Sequence, residues 1–276
     1  MNTYAKEVSK GMRFEFGKNW QQFLASLNEE RIKEAEKSLI EMLGYTTLEG
    51  KKFLDIGSGS GLFSLAARRL GAHVYSFDYD PQSVACTLQL KARYYPDDIN
   101  WIITEGSALD EDYIKSLGNF DIVYSWGVLH HTGNMWKALH NAQLPLQNEG
   151  LLLIAIYNDQ QFISSFWRKI KKTYCSGLFG KYLTMILFLP YLFLLNCAAG
   201  IVKYKNPLKQ FSEYKKKRGM SIYHDWLDWL GGYPFEVAKP EDIFNFYQQR
   251  GFVLQKMITT NRNGCNQFVF KKMVIS

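Results

Sequence analysis

The sequence predicts a doubly wound α/β fold: a mostly parallel sheet with an antiparallel final strand and a helical insertion ahead of its last strand pair. Three observations lead there. The glycine-rich stretch Leu54-Asp55-Ile56-Gly57-Ser58-Gly59-Ser60-Gly61 joins a short apolar run to an amphipathic one. Strand-like and helix-like runs then alternate as far as Tyr157. After a long interruption the pattern resumes at Pro240 and ends on a hairpin signal.

Taken in order, residues 20–43 read as one helix, with Phe23, Leu24, Leu27, Ile32, Leu39, Ile40 and Leu43 as its apolar stripe and Gly44 as its stop. Lys52–Ile56 is a strand and Leu62–Leu70 a helix; His73–Phe77 is a strand and Gln82–Ala92 a helix. Asn100–Thr104, Phe120–Tyr124 and Gly150–Ile156 are strands, separated by helices over Glu111–Ser116 and Asn134–Leu144. Glu241–Arg250 is the closing helix, and Phe252–Thr259 and Asn266–Lys271 are strands joined by the turn Asn261-Arg262-Asn263-Gly264. The chain thus divides into an N-terminal helical lid (1–44), a ligand-binding core (45–157), an insertion (158–238) and a segment that completes the sheet (239–276).

The glycines sit at a strand-to-helix turn, where backbone N–H groups face a ligand. A nicotinamide-binding turn has the spacing G-x-G-x-x-G, but here Gly57, Gly59 and Gly61 alternate and Leu62 stands at the third position. No Gly-Lys-Ser/Thr follows, so a P-loop fits worse. Asp55 inside the turn would repel a pyrophosphate but not a cationic, zwitterionic cofactor. Asp78 lies about twenty residues beyond the glycines, the distance of a carboxylate that holds ribose hydroxyls.

With those residues in place, the chain resembles the class I S-adenosylmethionine-dependent methyltransferases, of Rossmann-like fold, over 45–157 and 239–272. LDIGSGSG is similar to the family's first motif and Asp78 falls at its ribose position. Glu105-Gly106-Ser107-Ala108-Leu109-Asp110 resembles its adenine segment, and 120–131, from Phe120 through Ser125 and Trp126 to His131, its fourth strand and following loop. The resemblance implies S-adenosylmethionine as cofactor. It sets Gly57, Gly59, Gly61 and Ser125 around the cofactor and Asp55 near its ammonium group. Asp78 would lie on the ribose, Tyr79 on the adenine face, and Ser107 and Ala108 at the adenine edge. Many relatives carry an acid where Ser107 stands.

His130 and His131 are the candidate bases for an alcohol or phenol acceptor. Ubiquinone-biosynthesis O-methyltransferases are distant relatives by this resemblance. Some carry a metal-ligating carboxylate pair in this loop that Gly127-Val128-Leu129-His130-His131 lacks, so no metal is expected. Lys18 or Asn19 is a candidate for reaching the cofactor's carboxylate, and Trp126, His224, Asp225 and Asp228 are candidate acceptor contacts.

Hydrophobic content of 47% and charged content of 21% exclude a disordered chain, and a net charge of +7 points to an anionic partner, a lipid surface or nucleic acid. Four widely spaced cysteines and an N-terminus without an apolar core fit a cytoplasmic protein, peripheral on the inner membrane surface in one reading. Residues 182–202 hold no charged side chain, and Pro190 predicts a break into two short helices. That segment dips into one leaflet, covers the acceptor site or forms a homodimer contact. The expected activity is O-methylation of a hydrophobic or lipid-linked small molecule, a glycan or quinone-like precursor. An RNA methyltransferase and a non-catalytic cofactor-binding membrane adaptor are the alternatives.

Overall fold

The structure, a computed structural model, describes residues 3–218 and 222–274. The chain begins α1 (Thr3–Ser9), α2 (Gly17–Ala25), α3 (Glu29–Leu43), β1 (Lys52–Ile56), α4 (Leu62–Arg69), β2 (His73–Asp78), α5 (Pro81–Tyr94) and β3 (Trp101–Glu105). It continues with α6 (Glu111–Ser116), β4 (Phe120–Trp126), a single 3-10 turn (Leu129–His131), α7 (Met135–Gln143) and β5 (Leu146–Tyr157). Then come α8 (Phe162–Cys175), α9 (Leu178–Tyr204), α10 (Lys209–Arg218), α11 (Ile222–Gly231), α12 (Pro240–Gln248), β6 (Phe252–Ile258) and β7 (Cys265–Lys272). These form two compact units: a sheet unit of Asn28–Gln161 and Glu236–Ser276, and a helical unit of Met1–Leu27 and Phe162–Phe235.

The sheet has the order β3-β2-β1-β4-β5-β7-β6. Its first five strands in sequence run parallel, and β7 lies antiparallel between β5 and β6, as the hairpin signal predicts. Because β5 is central and covered on both faces, Gly150–Ile156 is buried without alternation. One face carries Leu54, Ile56, Val123, Leu152, Ile154 and Phe268 against Leu139 of α7 and Ile243 and Tyr247 of α12. Tyr247 seals this layer by donating to the Leu139 carbonyl at 3.0 Å. On the other face Tyr124 packs against Phe53 and Phe63, with ring centroids 5.7 and 5.1 Å away.

Two expectations are corrected. The helix expected over 20–43 is two helices in different units, α2 and α3. Asn28 divides them because its extended backbone and side chain cap α3, accepting from the Arg31 N–H at 3.1 Å. Pro190 does not break the apolar segment, since α9 runs 27 residues through it. An interior proline costs about 3 kcal/mol. Aromatic packing on both sides of it offsets that cost: Phe188 lies against Phe166 and Trp167, and Phe193 against Phe211.

The helical unit has an aromatic interior in which Trp167 meets Trp229 at 5.2 Å and Phe14 meets Tyr174 at 6.0 Å. Within it Lys171 is fully buried, donating to the Trp229 carbonyl with its ammonium 4.1 Å from the Trp229 ring centre and 4.9 Å from that of Phe235. Burial pushes this amine down to about 7.

Candidate functional site

Open α/β sheets bind ligands at the carboxyl ends of their strands where the strand order reverses. Here β2 and β3 lie on one side of β1 and β4 on the other, so the reversal falls between β1 and β4. The loops after β1, β3 and β4 hold the predicted glycines, Ser107 and the two histidines respectively, and Asp78 is the last residue of β2.

The glycine turn is dictated by its own backbone. Gly57, Gly59 and Gly61 all have positive φ, at 78°, 56° and 79°. A Cβ on Gly57 would stand 2.3 Å from a Val128 methyl, and one on Gly61 would stand 2.9 Å from a Thr87 methyl and 3.0 Å from the Thr87 Cα. The turn therefore lies directly against the loop after β4 and against α5. Gly57 and Ser58 both donate to the Phe77 carbonyl, at 2.8 and 3.1 Å, which ties the turn to the end of β2.

Asp78 sits at that end. Its Oδ2 accepts from the Gly59 N–H and its Oδ1 from the Asp80 N–H, each at 2.9 Å. A carboxylate has about four acceptor positions, so this half-buried group is not saturated by its backbone donors. Burial raises it to about 6, against the lowering by the backbone N–H groups of Asp80, Gly59 and Tyr79. Tyr79, the next residue, is half-buried.

Asp55 is buried on the opposite side of β1 from Leu54 and Ile56. It accepts from the Ser64 hydroxyl, Ser64 lies 2.7 Å from Ser76 Oγ, and Trp101 Nε1 donates to Ser76 at 2.9 Å. Each hydroxyl has one proton, so the chain runs one way: indole to Ser76, Ser76 to Ser64, Ser64 to the carboxylate. Burial pushes Asp55 up to about 7, eased by Ser64 and reinforced by the charge of Asp78. A cation brought beside it would restore its ionised form. The Tyr124 hydroxyl on the same face is buried and has no hydrogen-bond partner among the described residues.

The remaining candidates separate by what they touch. Ser125 is buried and donates to the Ile56 carbonyl at 2.9 Å, clamping β4 to β1. Ser107 is half-buried and accepts from the Leu109 N–H, while Ala108 turns its methyl into the core and has its carbonyl held by Asn141. Trp126 is 45% exposed. Both histidines are buried. His130 is 0% exposed, its Nδ1 accepts from the Tyr157 N–H at 3.3 Å, and its ring lies 4.1 Å from that of Tyr157. His131 reaches the surface slightly, at 9%, with its ring edge-on to Tyr157.

Asp225 is half-buried in α11 of the helical unit, and the side chain of His224 lies outside the described residues. In the same unit Lys18 pairs with Glu15 at 2.7 Å, and Asn19 donates to Asp228, a carboxyl that burial pushes up to about 7. Among the described residues no group of three His, Cys, Asp or Glu side chains is arranged to hold a metal ion.

Sequence reasoning missed Glu236. Its N–H donates to the His130 carbonyl and its carboxylate accepts from the Met135 N–H, each at 3.0 Å, so one residue holds both ends of the loop that carries the histidines. Nothing local in the sequence marks it, because its partners are about a hundred residues away. It likewise missed the seryl relay to Asp55, although Ser64 one helical turn past the glycines is a legible sign.

Comparison with known proteins gives concordant results. A family described as a methyltransferase domain matches residues 27–230, well over half of the chain. An 86-residue stretch is 42% identical to the ribosomal protein L11 methyltransferase of Prochlorococcus marinus, covering 30% of this chain and 28% of that protein. A 116-residue stretch is 32% identical to the ubiquinone biosynthesis O-methyltransferase of Glaesserella parasuis, covering 40% of this chain and 47% of that one. The matches thus span less than half the length of these curated relatives. Among solved structures, the magnesium protoporphyrin IX methyltransferase of Synechocystis PCC 6803 with bound SAH superposes with a TM-score of 0.50 at 16% identity. That superposition covers 99% of this chain and 88% of the other, and it shows a shared fold.

Proposed function

The chain belongs to the methyltransferase-domain family, and from that premise we propose that it moves a methyl group from S-adenosylmethionine to an oxygen of a hydrophobic or lipid-linked small molecule. The observation that carries the cofactor part is Asp78. Backbone N–H groups of Gly59 and Asp80 hold its carboxylate at the carboxyl end of β2 beside the glycine turn, which supports its reading as the acceptor for ribose hydroxyls.

When bound, the cofactor supplies an electrophilic methyl group on a sulfonium. The chain's own residues then have positioning work to do, because in-line displacement gains most from holding donor and acceptor in register. Gly57, Gly59 and Gly61 present backbone at close range, and Asp55 supplies a buried negative charge. Tyr79 offers a ring beside Asp78, and the backbone around Ser107 and Ala108 offers an edge for the base. An alcohol or phenol acceptor must also lose a proton. His131 is assigned that role over His130, whose Nδ1 is committed to the Tyr157 backbone and whose ring is fully enclosed. Support for an oxygen acceptor comes from this histidine and from the ubiquinone-pathway relative.

The test is to incubate the pure protein with methyl-labelled S-adenosylmethionine and a whole-cell extract, then partition the label. Label in the organic phase is expected. Asp78→Ala should weaken cofactor binding by about 10- to 100-fold, the value of a charged hydrogen bond. His131→Ala should cut transfer by about 100-fold with cofactor affinity unchanged. Label in RNA or protein would overturn the acceptor class, and undiminished binding by Asp78→Ala would overturn the cofactor assignment.

A further inference from the structure

α9 is 27 residues long, yet only Gly180, Thr184 and Gly200 in it are buried. Its outer face is apolar and open: Ile186 is 71% exposed, Leu194 65% and Val202 87%. Phe162, Ile163 and Phe166 at the start of α8 are also exposed, and Phe166 touches Phe188 of α9, so the apolar surface continues across both helices. An exposed patch of this kind marks a binding surface.

The charges on the chain segment that carries this surface have one sign. Between Asp159 and Glu213 the sequence contains no acidic residue, whereas Lys169, Lys172, Lys181, Lys203, Lys205 and Lys209 are all exposed. A second copy of this chain would bring lysines against lysines. An anionic lipid surface offers acyl chains to the apolar face and phosphates to the amines.

Length alone would let α9 cross a bilayer: at 1.5 Å per residue it spans about 40 Å, against about 30 Å of hydrocarbon. The packing of the helical unit forbids it. α11, which follows α9, packs on α8, which precedes it, and a single crossing would put those two helices on opposite sides of the membrane. β5 and β7, which flank the whole insertion, are likewise paired in one sheet.

We infer that the helical unit docks on an anionic bilayer with α9 lying in the interfacial plane, its outer face among the acyl chains and its flanking lysines on headgroup phosphates. The inference stands apart from the methyl-transfer reading, because lipid binding is read without turnover.

The experiment is flotation of the full chain with vesicles of phosphatidylcholine, alone and mixed with phosphatidylglycerol. The protein should float with the mixed vesicles, and high salt should weaken that binding. The double variant Ile186→Glu/Leu194→Glu should lose about 100-fold or more in partitioning, with circular dichroism and cofactor affinity unchanged. Lys203→Glu/Lys205→Glu should lose about 10-fold or more. Three results would each overturn the inference. One is absence from both vesicle types. Another is a lipid-free dimer that Ile186→Glu/Leu194→Glu dissociates. The third is a vesicle-bound form cleaved by protease on both sides of the bilayer, which would make α9 a span.

Discussion

In the sheet unit the longest apolar run, Gly150–Ile156, is buried along its whole length, whereas in the helical unit the longest, 182–202, is exposed along most of its length. Both runs are equally free of charge. The first meets β4, β7 and helices on both faces, and the second meets neighbours along one stripe only. Hydrophobic sequence therefore reports that a segment needs covering, and the tertiary structure decides whether the chain itself supplies the cover. The buried ionisable groups make a parallel contrast. The sheet unit encloses a carboxylate, Asp55, and the helical unit an amine, Lys171, each displaced by burial to about 7 from opposite sides.

The sharpest break of this comparison is a truncation in each run. Leu152→Ala, at a fully buried position of β5, should cost about 2–5 kcal/mol in denaturant unfolding. A loss below about 1 kcal/mol would mean that the sheet core is not the main source of stability.

The two buried charges should make the units respond to pH in opposite senses. Asp55 has a raised folded pKa, so its contribution to the free protein is fully present below the ordinary carboxylate range and is lost as pH rises through about 7. Asp55→Asn should remove that slope, gaining about 2–4 kcal/mol on wild type between pH 4 and 8. Lys171 has a lowered folded pKa, so its contribution is present above the ordinary lysine range and lost as pH falls through about 7. Lys171→Met should flatten the alkaline side of the stability profile instead. Parallel pH profiles for the two variants would refute the assignment.

A smaller effect is expected at the turn. Gly57→Ala combines positive φ with overlap on Val128 and should cost about 1–3 kcal/mol, displacing the loop after β4 and lowering cofactor affinity with it. The smallest completes the comparison. Leu194→Ala on the outer face of α9 should change stability by less than about 0.5 kcal/mol, although the same truncation is severe at Leu152.

The legible parts of the site are those whose partners are near in sequence. The glycine turn, the acid at Asp78 and the Asn261–Gly264 hairpin are local signals, and each stands where its residues imply. Gly44 ends α3 in the left-handed conformation for the same reason. Asn28 is also local, but an apolar stripe continuing through Leu27 and Ile32 masks its cap. Glu236 and the uneven burial of His130 and His131 depend on chain segments far away in sequence, and no nearby residue announces them.

The sequence by itself determined the α/β alternation, the reversed last strand and the glycine turn, because periodicity, glycine conformation and turn chemistry act over a few residues. Only the tertiary structure decided that Pro190 stays inside one helix, that Lys171 is enclosed by Trp229 and Phe235, and that α9 keeps its outer face open. Those outcomes depend on which distant side chains fill the space around a residue, and packing of that kind is settled only when the whole chain has folded.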